Sequence, residues 1–217
     1  MTRYDGAIEK DNGLEKFEML LGKGGRALSR RDPVLRGLIR THGLPRFRPH
    51  ENYFPTLVNA IISQQISSRA ADSISRKLLE ALGGVFDPRI MAEIPDELLR
   101  GAGISPQKLG YLRSLTTHVL ENTLRLDDLG SLSDDEVIAE LTAVKGIGVW
   151  TAHMFLIFSL GRLDVLPTGD LGVQRGMQVA YGLESSPKPR EMERLAEEKG
   201  WAPYRSIASW YMWRVVG

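Results

Sequence analysis

Cysteine is absent from the 217 residues of the chain. Disulfide bonds, thiol nucleophiles, cysteine-ligated zinc and iron–sulfur clusters are therefore excluded. Histidine is scarce, and the four histidines have no metal-binding spacing: they are His42, His50, His118 and His153. We expect no metal site built on side chains and no required cofactor.

Long apolar runs are missing as well. No stretch reaches the roughly 18 consecutive apolar residues that a bilayer span needs. The opening segment, MTRYDGAIEKDNG, lacks the apolar core of a signal peptide. We therefore expect a protein that is neither embedded in a membrane nor exported.

An excess of one charge is also missing, since the formal net charge is +1. The charges are nevertheless unevenly distributed. The segment 23–48 is basic, with Asp32 as its one acid and with Lys23, Arg26, Arg30, Arg31, Arg36, Arg40, Arg46 and Arg48. The segment 121–140 is acidic. Such a dipolar surface suits a protein that presents one face to a polyanion, but two solvated helix faces explain the same pattern.

Helical signals dominate, and no convincing series of strands is present. Residues 54–84 close on two glycines, and their spacing predicts one helix whose apolar face consists of Leu57, Ile61, Ile62, Ile66, Ala70 and Ile74. Further helices are predicted from Pro95 to Gly101–Gly103, from Pro106 to about Leu120, after a Ser133–Glu136 capping box, from Val149, from about Asp170, and from about Arg205 to Val216. The chain is predicted to be all-α.

The most specific local feature is LTAVKGIGVWTA, residues 141–152. Gly146 and Gly148 flank Ile147 between two predicted helices. Glycine can take backbone angles that are closed to other residues, and Ile147 would anchor the turn in the core. The amides that open the second helix would then face a phosphate oxygen. A tight helix–helix corner without a ligand is the alternative.

A second feature is Asp170, which follows a Pro/Gly turn in LDVLPTGDLGVQRG, residues 163–176. An aspartate in this position is typically an N-cap that accepts backbone N–H bonds. The same donors would hold its carboxylate and aim it at whatever lies above the turn. The residues alone leave both the structural and the chemical role open.

Four segments, taken in order, resemble the helix-hairpin-helix (HhH-GPD) DNA glycosylase superfamily. They are NAIISQQIS (59–67), VKGIGVWTA (144–152), VLPTGDLGVQRG (165–176) and PYRSIASWYMWR (203–214). The best match is the 3-methyladenine DNA glycosylase II (AlkA-like) branch, from about Tyr53 to the C-terminus. The resemblance implies two helical lobes with a cleft between them, one at 53–162 and one formed by 1–52 plus 163–217.

The resemblance also implies the reacting residues. Asp170 would be the catalytic aspartate, and Trp150 and Trp213 would stack on a cationic purine. Met154 occupies a pocket position that is tyrosine in some relatives, which leaves the substrate range open. Trp213 lies three residues from Trp210 on a predicted apolar helix. The alternative to a role in the base pocket is therefore packing in the core.

DNA contacts are implied for two segments. Gln64 and Gln65 match the wedge that fills the gap left by a flipped base, although a solvent-facing pair is the alternative. At the hairpin, the implied DNA-binding residues are Lys145, Gly146, Gly148 and Thr151. The backbone carbonyls of Thr142, Val144 and Ile147 match positions that often hold a monovalent cation in this family.

The implied activity is that of a monofunctional glycosylase of base excision repair, which flips and hydrolytically releases alkylated purines of the 3-methyladenine or 7-methylguanine type. Branches that also cut the strand carry a lysine where this chain has Trp150, so no lyase activity is expected. A non-enzymatic DNA-binding protein, or a glycosylase for other lesions, is the alternative. We expect a monomer that acts on damaged double-stranded DNA and, in a prokaryote, a cytoplasmic, nucleoid-associated location.

Overall fold

The computed structural model describes the backbone of residues 5–217 and the side chains of residues 13–217. Its helices are α1 (Asp5–Arg31), α2 (Pro33–His42), α3 (Tyr53–Ser63), α4 (Ser68–Ala81), α5 (Pro88–Glu93), α6 (Asp96–Gly101), α7 (Pro106–Leu120), α8 (Asp134–Ala143), α9 (Val149–Phe158), α10 (Leu171–Tyr181), α11 (Pro189–Glu198) and α12 (Arg205–Val216), with a short 3₁₀ helix at Leu126–Ser131. No strand occurs in residues 5–217, which confirms the predicted all-α class. Among these helices, none combines the length and the apolar character of a membrane span.

The chain forms two compact units. One consists of Met1–Pro49 and His153–Gly217, and the other of His50–Ala152. Helix α9 crosses the border between them in the chain. The lobe borders predicted at residues 53 and 162, and the cleft between the lobes, stay predictions.

In the unit His50–Ala152, local capping signals decide where helices begin. Ser105 caps α7 by accepting a hydrogen bond from the Lys108 amide at 3.3 Å, as predicted from Ser-Pro. Ser133 and Glu136 form the predicted capping box of α8. The apolar faces of α3 and α7 then pack together, and Leu57, Ile61 and Leu112 are fully buried.

The prediction of a single helix over residues 54–84 is wrong, because a turn at 64–67 separates α3 from α4. Ser67 begins a new helix by accepting from the Ala70 amide at 3.3 Å. Ile66 and Ala70, which were predicted on the apolar face, are exposed. Lys108 of α7 contacts the backbone oxygens on either side of the end of α3.

In the other unit, α10 crosses α12 at very close range. A Cβ added to Gly176 would lie 2.2 Å from the backbone oxygen of Met212, so only glycine permits this approach. Buried Asp32 caps α2 and also accepts hydrogen bonds from the Tyr181 hydroxyl and from Trp201 Nε1. Burial and the neighbouring Asp32 raise the pKa of Tyr181 above its ordinary range. The approach at Gly176 packs α10 against α12, and the Asp32 hydrogen bonds tie α2 to α10 and to Trp201.

Candidate functional site

Asp170 is the N-cap of α10, and the residue is 7% exposed. Its Oδ1 accepts a hydrogen bond from the Val173 amide at 2.8 Å. The preceding turn is closed by the Asp170 amide, which donates to the Pro167 oxygen at 2.9 Å. Gln174 Nε2 donates to the Thr168 oxygen at 2.8 Å and ties the same turn to the helix. The Pro/Gly turn and the helix start therefore hold this carboxylate in one position.

Trp213 of α12 donates a second hydrogen bond to the same carboxylate oxygen, from Nε1 to Oδ1 at 2.8 Å. Gly172 leaves the room for this contact. A Cβ at position 172 would lie 2.9 Å from Trp213 Cδ1 and 3.2 Å from its Nε1, so a side chain there would displace the indole. Two N–H donors on one oxygen stabilise a negative charge at this point.

The Trp213 ring also takes part in packing. Its centroid lies 5.7 Å from that of Phe158, which in turn lies 5.4 Å from Phe47. The ring is half-buried rather than fully enclosed. Trp213 therefore both contacts Asp170 and packs against the core. The expectation that Trp213 and Asp170 serve one site is compatible with this packing.

The remaining pocket residues lie along α9. Trp150 is its second residue and is 50% exposed. Met154, one turn later, is half-buried. The structure brings Asp170 and Trp213 into contact within one unit, whereas Trp150 belongs to the other unit. The roles of Trp150 and Met154 in a base pocket stay predictions.

The hairpin between α8 and α9 depends on Gly146. This residue has φ +91°, and an added Cβ would lie 2.2 Å from the ring of Tyr111. Ile147 is buried, as predicted, and its amide donates to the Val144 oxygen at 3.0 Å. Gly148 does not use the same conformational freedom: it has no positive φ, and nothing lies within 4 Å of an added Cβ.

The other hairpin residues differ in accessibility. Lys145 is exposed, and its amide donates to Ser114 Oγ at 3.1 Å. Thr151 is 8% exposed, so little of its surface is available for a DNA contact. The predicted DNA contacts of Lys145, Gly146, Gly148 and Thr151 stay predictions.

A monovalent cation at the hairpin would rest on backbone oxygens. The Val144 oxygen accepts from the Ile147 amide, and a carbonyl oxygen has a second lone pair for an ion. Among the described residues, no cluster of three or more His, Asp or Glu side chains could hold a metal. Carbonyl oxygens are ligands that suit a hard cation, and the assignment of Thr142, Val144 and Ile147 as its ligands stays a prediction.

In the predicted wedge segment, Gln64 and Gln65 have different environments. Gln64 Nε2 donates to the Gly146 oxygen at 2.8 Å, which ties this segment to the hairpin. Gln65 is exposed and has φ +58°, a conformation that is uncommon for a residue with a Cβ. Gln65 is thus the member of the pair whose side chain is available at the surface.

Residues of α7 that hold the wedge segment and the hairpin were not predicted from the sequence. Lys108, Tyr111 and Ser114 recur every three residues and contact these two segments. That spacing was the available signal, but polar residues at helical spacing are also typical of an exposed face.

The HhH-GPD superfamily of base excision DNA repair proteins matches residues 58–202 of the chain. The chain belongs to this superfamily. The DNA-3-methyladenine glycosylase 1 of Schizosaccharomyces pombe is 33% identical to it over 211 residues, covering 92% of this chain and 90% of that protein.

Solved structures agree with this assignment. A crystal structure of a DNA-3-methyladenine glycosidase from Bacillus halodurans has a TM-score of 0.80 and 37% identity, covering 88% of this chain and 87% of the other. A 3-methyladenine DNA glycosylase from Schizosaccharomyces pombe, in complex with abasic DNA, has a TM-score of 0.75 and 31% identity over 88% of this chain and 95% of the other. The fold of this chain is therefore that of a helix-hairpin-helix glycosylase.

Proposed function

We propose that this chain is a monofunctional DNA glycosylase that hydrolytically releases alkylated purines from duplex DNA. The membership in a base excision repair superfamily and the names of the similar proteins support this function. The observation that carries it is the Asp170 carboxylate, which two N–H donors hold at the start of α10.

Asp170 would act on the charge that develops in the sugar. As the bond between C1′ and the base stretches, the deoxyribose gains positive charge, and a carboxylate placed beside it lowers the barrier. The same carboxylate would orient the water that attacks C1′. Because its position is set by the helix start and by Trp213, little reorganisation is needed during the reaction.

The choice of alkylated purines follows from charge. Alkylation at N3 or N7 makes the purine cationic, so it leaves as a neutral molecule and needs no strong general acid. Electron-rich indole faces attract such a base by about 0.5–2 kcal/mol. Trp213 and Trp150 are the candidates for this contact, and neutral lesions would be poorer substrates.

Lyase activity is not proposed because the position used by strand-cutting branches is Trp150. An indole has no amine that could form a Schiff base with C1′. The DNA strand should therefore remain intact after base release and break only on treatment with alkali. Covalent trapping of the protein on DNA by borohydride would contradict this assignment.

The hairpin and the turn at Gln65 would bind the DNA itself. Gly148 and the start of α9 would approach a phosphate, a contact that positions the protein without reading sequence. We propose that the chain acts as a monomer on duplex DNA that contains damaged bases.

The direct test is incubation of the purified protein with methylated duplex DNA, followed by chromatography of the released bases. Free 3-methyladenine or 7-methylguanine is expected from the wild type and not from Asp170→Asn. A protein that binds a duplex with an abasic-site mimic but releases no purine would instead be a DNA-binding module without glycosylase activity.

A further inference from the structure

Lys108 of α7 clamps the end of α3. Its Nζ donates to the Ile62 oxygen at 2.6 Å and to the Gln64 oxygen at 2.8 Å. The last carbonyls of a helix have no partner within the helix, and a cation is favoured at that end. The two bonds bracket the point at which the chain leaves α3, so Lys108 ends the helix there.

Gln65 directly follows the segment that Lys108 holds, and its backbone conformation is unusual. This residue has φ +58° and follows Gln64, whose backbone oxygen is held by Lys108 and whose side chain donates to the Gly146 oxygen at 2.8 Å. A left-handed conformation at a residue with a Cβ is unfavourable and persists where the surroundings hold it. Lys108 and Gly146 are the partners that hold this turn through Gln64.

The same face of α7 also supports the hairpin. Tyr111, three residues after Lys108, places its ring under Gly146, and Ser114, three residues later, accepts from the Lys145 amide at 3.1 Å. One helix face therefore contacts both the hairpin and the turn that presents Gln65. Their relative position depends on α7.

We propose that Lys108 is a positioning residue for base flipping, because its ammonium group holds the turn from which Gln65 would enter the base stack. This inference rests on the proposed glycosylase function. Loss of the clamp would let the turn relax and would make extrusion of the base less favourable. The chemical step, which depends on Asp170, would be unaffected.

The pairing of the damaged base distinguishes these two steps. Extrusion costs most for a base that is paired and stacked, and least for a mispaired base. A defect in flipping should therefore be large for a paired lesion and small for a mispaired one. A defect in the chemical step should be the same for both.

The experiment measures single-turnover release of 7-methylguanine from two duplexes, with the lesion opposite cytosine or opposite thymine. For Lys108→Met we expect release to slow by about 10-fold opposite cytosine and by about 2-fold or less opposite thymine. Lys77→Met, which removes an exposed lysine of α4 in the same unit, is the matched control and should match the wild type on both. Lys108→Arg, which keeps the charge and the donors, should recover much of the loss.

An equal loss on the two duplexes, or no loss on either, would overturn the proposal. If Lys108→Met does not purify as a folded protein, Lys108→Gln is assayed in its place, with the same dependence on pairing expected. If the wild type releases no purine, the proposed function fails. The role of Lys108 is then measured on a duplex that carries 2-aminopurine beside an abasic-site mimic. The fluorescence of 2-aminopurine should rise less on binding of the variant than on binding of the wild type. An equal rise would refute the role.

Discussion

The starts of α9 and α10 differ in how they satisfy the same electrostatic requirement. The N-terminus of a helix presents unpaired amides and attracts negative charge. Helix α10 meets this requirement with the carboxylate of Asp170, which is buried. Helix α9 is preceded by Gly148, which has no side chain and is exposed with open space around its Cα.

The difference shows how one structural element can serve two purposes. At α10 the anion belongs to the protein, so its position is fixed and it is suited to act on a substrate. At α9 a glycine leaves room for an anion from outside, such as a DNA phosphate. The proposed reaction uses the start of α10, and the proposed DNA contact uses the start of α9. The two starts differ in the residue before the first turn, which is Asp170 in one and Gly148 in the other.

The largest expected effect comes from Asp170→Asn. The amide oxygen can still accept from the Val173 amide and keep the cap, but the negative charge is lost. Single-turnover base release should fall by at least about 10²–10³-fold, while thermal stability and affinity for a duplex with an abasic-site mimic stay close to those of the wild type. If release continued at the wild-type rate, the start of α10 would have only a structural role.

A paired test at the hairpin separates folding from DNA binding. Gly146→Ala should lower the free energy of unfolding by about 2–4 kcal/mol, because its Cβ would meet Tyr111 and its φ is positive. Gly148→Ala should change it by less than about 0.5 kcal/mol, yet weaken duplex binding by about fivefold, the worth of one hydrogen bond. Urea unfolding and binding to two unrelated sequences check both. Equal stability of the two variants would contradict the packing argument.

Trp213→Phe tests the second donor at the start of α10. Phenylalanine keeps a ring beside Phe158 but removes the N–H that donates to Asp170. Without this donor the Asp170 carboxylate is less firmly positioned, so release should slow by about 10- to 100-fold at saturating protein. Trp210→Phe, on the same helix, is the control and should behave as the wild type. A variant that lost only affinity would show that the indole serves stacking alone.

The smallest expected effect is that of Lys145→Ala. Lys145 is exposed beside Gly146, so its charge would add to the phosphate contact without determining the fold. The slope of log affinity against log salt should become shallower by about 0.9, with no change in the unfolding midpoint. Lys77→Ala is the matched control. An unchanged slope would place Lys145 outside the DNA contact.

Several features were predictable because their signals are local. Ser105 before a proline, the Ser133–Glu136 capping box and the Gly/Pro-rich turn before Asp170 each involve neighbours within a few residues. The terminal helix α12 also matches its predicted bounds. Each cap depends on a side chain and an amide two or three positions away, which a sequence shows directly.

Other features could not be predicted because partners distant in the chain decide them. At the break after Ser63, the partner of the Ile62 oxygen is Lys108, which lies 46 residues away. Helices α1, α2, α5 and α11 were not predicted either. In α1, glycines weaken the local helical signal, and burial of residues such as Leu21 and Leu28 stabilises the helix instead.

The sequence by itself determined the all-α class, the hairpin turn at 146–148 and the carboxylate at the start of α10. Caps and turns arise from short-range sterics and hydrogen bonds, which neighbouring residues decide. Only the tertiary structure decided that the Trp213 indole donates to Asp170 across 43 residues and that Gln65 stands in a strained turn held from α7. Such contacts depend on which helix faces pack together, and packing is a property of the whole core rather than of any one segment.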